Sequence, residues 1–205
     1  MIVPTIAGPN SIMFERAKTF AKLGYIAFVS DVYGCGEVTV MAEWQVLAAE
    51  LKAEKGRFRA RFHAALATFK QVDGVDDSRV AIIGYCMGGQ AALELARDGA
   101  DFAVAVSFHG LLETDQPAQS GAVKARILVC HGHDDPLVTP DEVSKFQSEM
   151  VAAKADWHMH IYSDTVHGFT DPRSSTRGSP VVAYNPSADR QSWNAMMSMF
   201  DELFN

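Results

Sequence analysis

Three side chains in this sequence have the types and the chain order of a nucleophilic relay: Cys86, Asp135 and His167. Cys86 is the centre of Gly84-Tyr85-Cys86-Met87-Gly88-Gly89, which directly follows the apolar run Val80-Ala81-Ile82-Ile83. Small residues two before and two after a nucleophile are what a tight strand-to-helix turn requires, because a Cβ there would strike neighbouring backbone. Such a turn lifts the central side chain above a sheet and seats it at a helix N-terminus, whose positive end favours thiolate over thiol. The backbone N–H of Met87 then points at a developing oxyanion. Taken alone, a buried structural cysteine beside a glycine-rich turn explains the same six residues.

The partners lie downstream, the acid before the histidine, as this type of relay requires. Asp135 sits three residues after Gly132 and three before Val138, following the apolar run Ile127-Leu128-Val129-Cys130, and reads as an acid presented from a strand end. Its neighbour Asp134 faces solvent or caps the turn. His167, in Ser163-Asp164-Thr165-Val166-His167-Gly168-Phe169, falls in a loop after a strand and is free to reach both a carboxylate and a thiol. An isolated histidine is more often structural; its place behind the elbow and the acid reverses that reading.

Other polar residues read differently. His131, His133, Asp134 and Asp135 make a poor metal site, since neighbours on a strand point to opposite faces and no second histidine pair has ligand spacing. No metal and no cofactor are therefore expected. His158 and His160 share one face of an exposed or edge strand. His109 ends the run 102–108 on the side where open α/β sheets bind ligands, and either lines the pocket or bonds to backbone. Cys35 and Cys130 have no elbow around them and read as small packed residues. Arg57, Arg59 and Arg61 read as the wet face of a helix, with one of them within reach of an anionic substrate as the alternative.

The elements that must carry these groups are legible as short apolar runs at 2–4, 25–30, 80–83, 102–108, 126–131 and 157–162. Most are continuous rather than alternating, which suits a parallel sheet covered on both faces. Between them lie helical stripes: Phe14, Ala17, Ala21; then Phe58, Phe62, Ala65, Leu66, Phe69; then Ala92, Leu95, Ala96; and finally Trp193, Met196, Met197, Phe200, Leu203, Phe204. The alternation predicts one α/β domain over 1–205 with right-handed crossovers. Loops are signalled at Gly34-Cys35-Gly36 and Asp73-Gly74, and the polar segment 171–186 is expected to be a mobile loop near a site.

Composition bounds the function. With 205 residues and 48% hydrophobic content, the chain can bury a full core without disulfides or metal. A net charge of −7 repels phosphate backbones, so nucleic acid is excluded as a partner. No run approaches the about 20 apolar residues of a membrane span, and no signal-peptide pattern precedes the fold. Three cysteines, an odd number in a chain of this size, point to reduced thiols and a cytoplasmic location. The chain opens directly into strand-like Met1-Ile2-Val3-Pro4, so one or two initial strands of the fold are expected to be missing.

With these residues in hand, the sequence resembles the dienelactone hydrolase family of the α/β-hydrolase fold, essentially end to end. The motifs that carry the resemblance are Gly84-Tyr85-Cys86-Met87-Gly88-Gly89, with cysteine where serine is commoner, Ser107-Phe108-His109-Gly110, the Gly-x-x-Asp-x-x-Val run from Gly132 to Val138, His167-Gly168-Phe169, and Tyr184-Asn185-Pro186 leading into the last helix. The resemblance implies a mostly parallel sheet with helices on both faces and a catalytic triad of Cys86, Asp135 and His167. It also implies an oxyanion hole in which Met87 is joined by Ile6, from the turn Pro4-Thr5-Ile6-Ala7-Gly8. The implied reaction is carboxymethylenebutenolidase-like hydrolysis of a small ester or lactone through a thioester. Thr5, Tyr33, Trp44, Tyr85, His109 and Phe169 are the expected pocket residues. Two departures stand out: Thr5 occupies the place of a glutamate in well-studied members, and Asp171 stands near where a substrate-binding arginine would fall. The rival readings are a non-catalytic binding module of the same fold and a thiol redox sensor that oxidises Cys86, with Cys35 or Cys130 as the resolving thiol.

Overall fold

The computed structural model describes residues 1–36, 38, 40–54 and 56–204. Its centre is a five-stranded sheet, β1 (Ile2–Val3), β2 (Ala81–Tyr85), β3 (Val104–Phe108), β4 (Arg126–Gly132) and β5 (Trp157–Tyr162), arranged in chain order with every pairing parallel. Successive residues of β2, β3 and β4 point to opposite faces, and both faces are covered. Ile82, Ala105, Ile127 and Val129 pack with Phe62, Leu66, Leu93 and Phe146 on one side. Ile83, Val104, Val106 and Leu128 pack with Met13, Phe20, Met196 and Phe200 on the other. That double burial is why these strands read as unbroken apolar runs.

The helices are α1 (Ser11–Lys22), α2 (Met41–Lys52), α3 (Arg57–Lys70), α4 (Met87–Arg97), α5 (Pro140–Ala152) and α6 (Pro186–Phe204). Several expectations are corrected. The segment 25–30 runs beside β1 through Ile2 N–H to Phe28 O (2.7 Å) and Ser30 N–H to Ile2 O (3.0 Å), but forms only one bridge, because the two residues of β1 offer little edge to pair with. In α1 the buried stripe is Met13 and Phe20 with Ala17, one residue out of phase with the expected one, and Phe14 is 49% exposed. In α6 Met199 is buried while Leu203 is exposed. The helix α2 carries no side-chain cap and has no counterpart among the expected stripes. Arg59 is not on a wet face: it is 8% exposed and paired with Glu94 at 2.7 Å. Cys35 is exposed rather than packed. His158 and His160 do lie exposed on the edge strand β5. Among the described residues no helix is long and apolar enough to cross a membrane.

All the chemistry-bearing residues named above follow the C-terminal ends of strands: Ile6 after β1, Cys86 after β2, His109 after β3, Asp135 after β4 and His167 after β5. A parallel sheet converges its strand ends at one rim, which is where open α/β folds bind ligands. A cavity of about 510 Å³ opens at the opposite end of the same strands, lined by Met1, Tyr25, Arg79 and Phe200 among others, away from these groups.

Candidate active site

Cys86 is the N-cap of α4 and has φ 55° and ψ −117°, a left-handed conformation that a side chain adopts only when its surroundings impose it. The surroundings are backbone. A Cβ on Gly84 would land on the carbonyl of Gly88, and one on Gly88 would land on the carbonyls of Val3 and Pro4. Only glycine lets β2, α4 and β1 approach this closely, so the elbow is a packing solution before it is a chemical one. Its result is a partly exposed thiol at the positive end of a helix.

Behind it, His167 Nδ1 lies 2.7 Å from Asp135 Oδ2, and both side chains are buried. A carboxylate only accepts, so Nδ1 carries the hydrogen. The other carboxylate oxygen, Oδ1, accepts from Leu137 N–H at 2.9 Å, which fixes the acid's plane. His167 Nε2 is buried and has no hydrogen-bond partner of good geometry. It faces Cys86, and the two titrate together. Burial alone would push the thiol up. The charge on His167, with its imidazole and the N–H groups of Met87 and Ile6 facing the sulfur, more than offsets this and holds Cys86 below its ordinary value. Burial pulls His167 down, but the Cys86 charge and the Asp135 hydrogen bond raise it to about 10. Each group's charge thus favours the charged form of the other.

The His167 loop is held from outside. Ala183 N–H donates to His167 O at 3.2 Å, Val182 pairs with His167 as an isolated bridge, and Ser174 Oγ donates to Gly168 O at 3.1 Å. The segment 171–186 does border the site, as expected, but it is pinned there by these bonds rather than loose.

The remaining expected pocket residues divide. Tyr33 stands at the site, its hydroxyl 3.2 Å from Ile6 O and 3.6 Å from Met87 Sδ. Thr5 Oγ1 accepts from Ala7 N–H at 3.3 Å, so this hydroxyl braces its own turn. Trp44 donates its indole N–H to Val38 O. Tyr85 and Phe169 are not pocket walls. Tyr85 is 1% exposed and stacked on Phe108, and Phe169 is fully buried against Tyr162 and His109, because both point to the α1/α6 face of the sheet. His109 neither bonds backbone through another residue nor opens into solvent. It is 2% exposed with φ 40°, its Nε2 lies 2.9 Å from Thr170 Oγ1, and its ring stands edge-on to His167 at 5.0 Å. Burial and then the charge on His167 hold its pKa well below the ordinary value, so it is neutral.

Thr170 was not singled out by the sequence reading, nor was Arg16, which donates to Thr170 O at 3.1 Å and pairs with Asp189 at 2.7 Å. The signal available was the position of Thr170 directly after His167-Gly168-Phe169. Cys130 is buried with its thiol pushed up to about 12 by burial, and has no thiolate character. Among the described residues no group of three or more His, Cys, Asp or Glu side chains converges as a metal site would.

The Dienelactone hydrolase family matches over residues 1–204. An uncharacterized protein of Caenorhabditis elegans, K02A2.1, is 32% identical over 151 residues, covering 73% of this chain and 96% of the relative. A probable 2-oxo-3-(5-oxofuran-2-ylidene)propanoate lactonase of Bradyrhizobium is 26% identical over 204 residues, 95% of this chain and 79% of the relative. Among solved structures, the dienelactone hydrolase-like promiscuous phosphotriesterase P91 from metagenomic libraries superposes with a TM-score of 0.92 at 37% identity, covering 100% of this chain and 85% of that one.

Proposed function

Since this chain belongs to the dienelactone hydrolase family, whose membership marks it as a hydrolase of the α/β-hydrolase fold, we propose that it cleaves a small ester or lactone with Cys86, His167 and Asp135 as its catalytic triad. The observation that carries this reading is the thiol at φ 55° on the N-terminus of α4, beside an imidazole whose far nitrogen is 2.7 Å from a buried carboxylate.

The Cys86 thiolate adds to the substrate carbonyl carbon, and the carbonyl oxygen takes the negative charge between the N–H groups of Met87 and Ile6. The C–O bond to the leaving group breaks as His167 Nε2 gives its proton to the departing alkoxide. The product is a thioester on Cys86 and a neutral imidazole. His167 then takes a proton from water, the hydroxide adds to the thioester carbon, and the C–S bond breaks. This releases the acid and restores the thiolate–imidazolium pair. Asp135 holds His167 in the tautomer that keeps Nε2 towards the sulfur throughout. A thiolate leaves a tetrahedral intermediate more readily than an amide nitrogen but less readily than an activated alkoxide, so activated esters and strained lactones are the fitting class. A nucleophilic thiol must stay reduced, which a reducing, cytoplasm-like compartment favours.

The test is a panel of p-nitrophenyl esters and lactones with wild type and Cys86→Ala, together with mass spectrometry of the acylated protein. Turnover confined to wild type, with acyl mass on the peptide holding Cys86, supports the reading; equal turnover by both proteins overturns it. A phosphotriester belongs in the same panel, because a solved structure at 37% identity is titled a promiscuous phosphotriesterase. Phosphotriester turnover that also needs Cys86 would assign a second substrate class to the same thiolate.

A further inference from the structure

The second oxyanion donor, Ile6 N–H, lies in a loop outside β1 and has no helix to hold it. Its turn is therefore secured by other means. Gly8 N–H donates to Thr5 O at 3.0 Å, and Val38 N–H donates to Ala7 O at 3.1 Å. The segment that reaches over this turn, Asp31 to Gly36, is itself tightened on Asp31, whose carboxylate accepts from Gly34 N–H at 2.9 Å and Gly36 N–H at 2.8 Å. Gly8, at φ 75°, lets the two strips touch: a Cβ there would stand 3.0 Å from Gly36 O and 3.6 Å from the Tyr33 ring.

Tyr33 is the one side chain of that strip which reaches both arms of the hole. Its hydroxyl is 3.2 Å from Ile6 O and 3.6 Å from Met87 Sδ. Its single hydrogen goes to the carbonyl, the stronger acceptor, leaving the sulfur as a packing contact. The carbonyl of Ile6 belongs to the peptide plane after Ile6, and the plane before it is held through Thr5 O. The two planes that fix the direction of Ile6 N–H are thus each tied to something outside themselves.

We propose that Tyr33 is a positioning residue of the oxyanion hole, its hydroxyl holding the Ile6 N–H in register with the Met87 N–H above the Cys86 sulfur. The inference rests on the hydrolase reading above, but it is testable on the resting thiol alone. The same two N–H groups favour the charged sulfur before any substrate arrives, so a misaligned hole is felt in both the resting and the reacting enzyme.

Tyr33→Phe removes one oxygen and keeps the ring against Gly8. Its kcat on p-nitrophenyl acetate is expected to fall by about 10-fold to 100-fold with KM within about twofold, less than the loss of a whole donor. The midpoint of the pH profile for iodoacetamide alkylation of Cys86 is expected to rise by about half a unit or more. A purely structural tyrosine would lower the melting temperature and leave the alkylation midpoint in place; that result overturns the proposal, whether or not kcat falls. If wild type has no Cys86-dependent turnover while the midpoint still moves in Tyr33→Phe, the hydrolase reading fails and the positioning role stands. If turnover is present and neither quantity moves, the positioning role alone fails.

Discussion

Helix α4 has a buried set of charged groups near each end, and the two differ in how completely they are paired. Towards its C-terminal end, Arg97 gives every guanidinium nitrogen a partner: Nε and Nη2 on Glu149, Nη1 on Glu94, and Nη2 also on Leu112 O. Arg59 does the same with Glu94, Asp98 and Gln116 O. At the N-terminal end, Asp135 is fully engaged, but His167 Nε2, His109 Nδ1 and the nearby Ser107 Oγ are buried without partners. The backbone differs too: Cys86 and His109 sit at φ 55° and 40°, whereas Glu94 and Arg97 are plain helix. Buried polar atoms left unpaired, and strained backbone, each cost about 1–3 kcal/mol. A fold tolerates such costs where a reacting molecule will supply the missing partner. The paired cluster ties α3, α4 and α5 together; the unpaired one is where chemistry can happen.

Exchanging the central group of each cluster separates these roles. Cys86→Ala should lower ester turnover by about 10⁴-fold or more with only a small change in melting temperature. Arg97→Met, in a side chain that is fully buried, should do the reverse. It leaves Glu94 with Arg59 alone and Glu149 with Ala118 N–H as its remaining partner, and should cost about 3–5 kcal/mol in a urea titration while leaving kcat per folded molecule unchanged. A turnover loss in Arg97→Met comparable to that in Cys86→Ala would erase the distinction.

The pH dependence sharpens it. Because the Cys86 pKa is held below the ordinary thiol value, the midpoint of its iodoacetamide alkylation profile should lie below that of a free cysteine. His167→Ala removes the strongest of the groups that favour the thiolate, so the profile should move alkaline and the rate at pH 7 fall by about 10-fold to 100-fold. Stability carries the matching signature. A histidine raised to about 10 in the folded state contributes fully below its unfolded pKa, and that contribution fades as pH rises towards 10. In Cys86→Ala, which removes the charge most responsible for raising His167, this alkaline fade should shift to lower pH.

Much of this was legible in the residues, and the illegible parts share a cause. The elbow, the acid and the histidine are each flagged by local spacing, such as Gly84 and Gly88 around Cys86. β2, β3 and β4 are flagged by apolar runs that burial on both faces demands. What local pattern cannot show is which loops meet. Arg59 looks like one of three helix-surface arginines until Glu94, 35 residues away, comes to lie 2.7 Å from it. Tyr85 and Phe169 flank Cys86 and His167 in sequence but pack on the α1/α6 side of the sheet. Helix α2 begins after Val40 with no side-chain cap, so its start carries no signal. The segment 25–30 has strand composition but only Ile2 to pair with.

The smallest expected effect probes the least legible contact, between His109 and Thr170. Thr170 Oγ1 gives His109 Nε2 its one partner at 2.9 Å, while Arg16 fixes the same residue through Thr170 O. Neutral His109 in turn stands edge-to-face with His167, ring centroids 5.0 Å apart. Thr170→Val keeps the shape and removes the hydroxyl, so a buried imidazole nitrogen loses its partner at a cost of about 1–3 kcal/mol. Some of that cost should reach His167 as a looser ring, lowering kcat by about threefold to tenfold with KM little changed. Thr170→Ser restores the hydroxyl and should recover most of the rate while losing a methyl contact. If serine fails to rescue where valine impairs, the methyl packing holds the two histidines together. The unpaired end of α4 would then owe its order to packing, as its paired end owes it to charge.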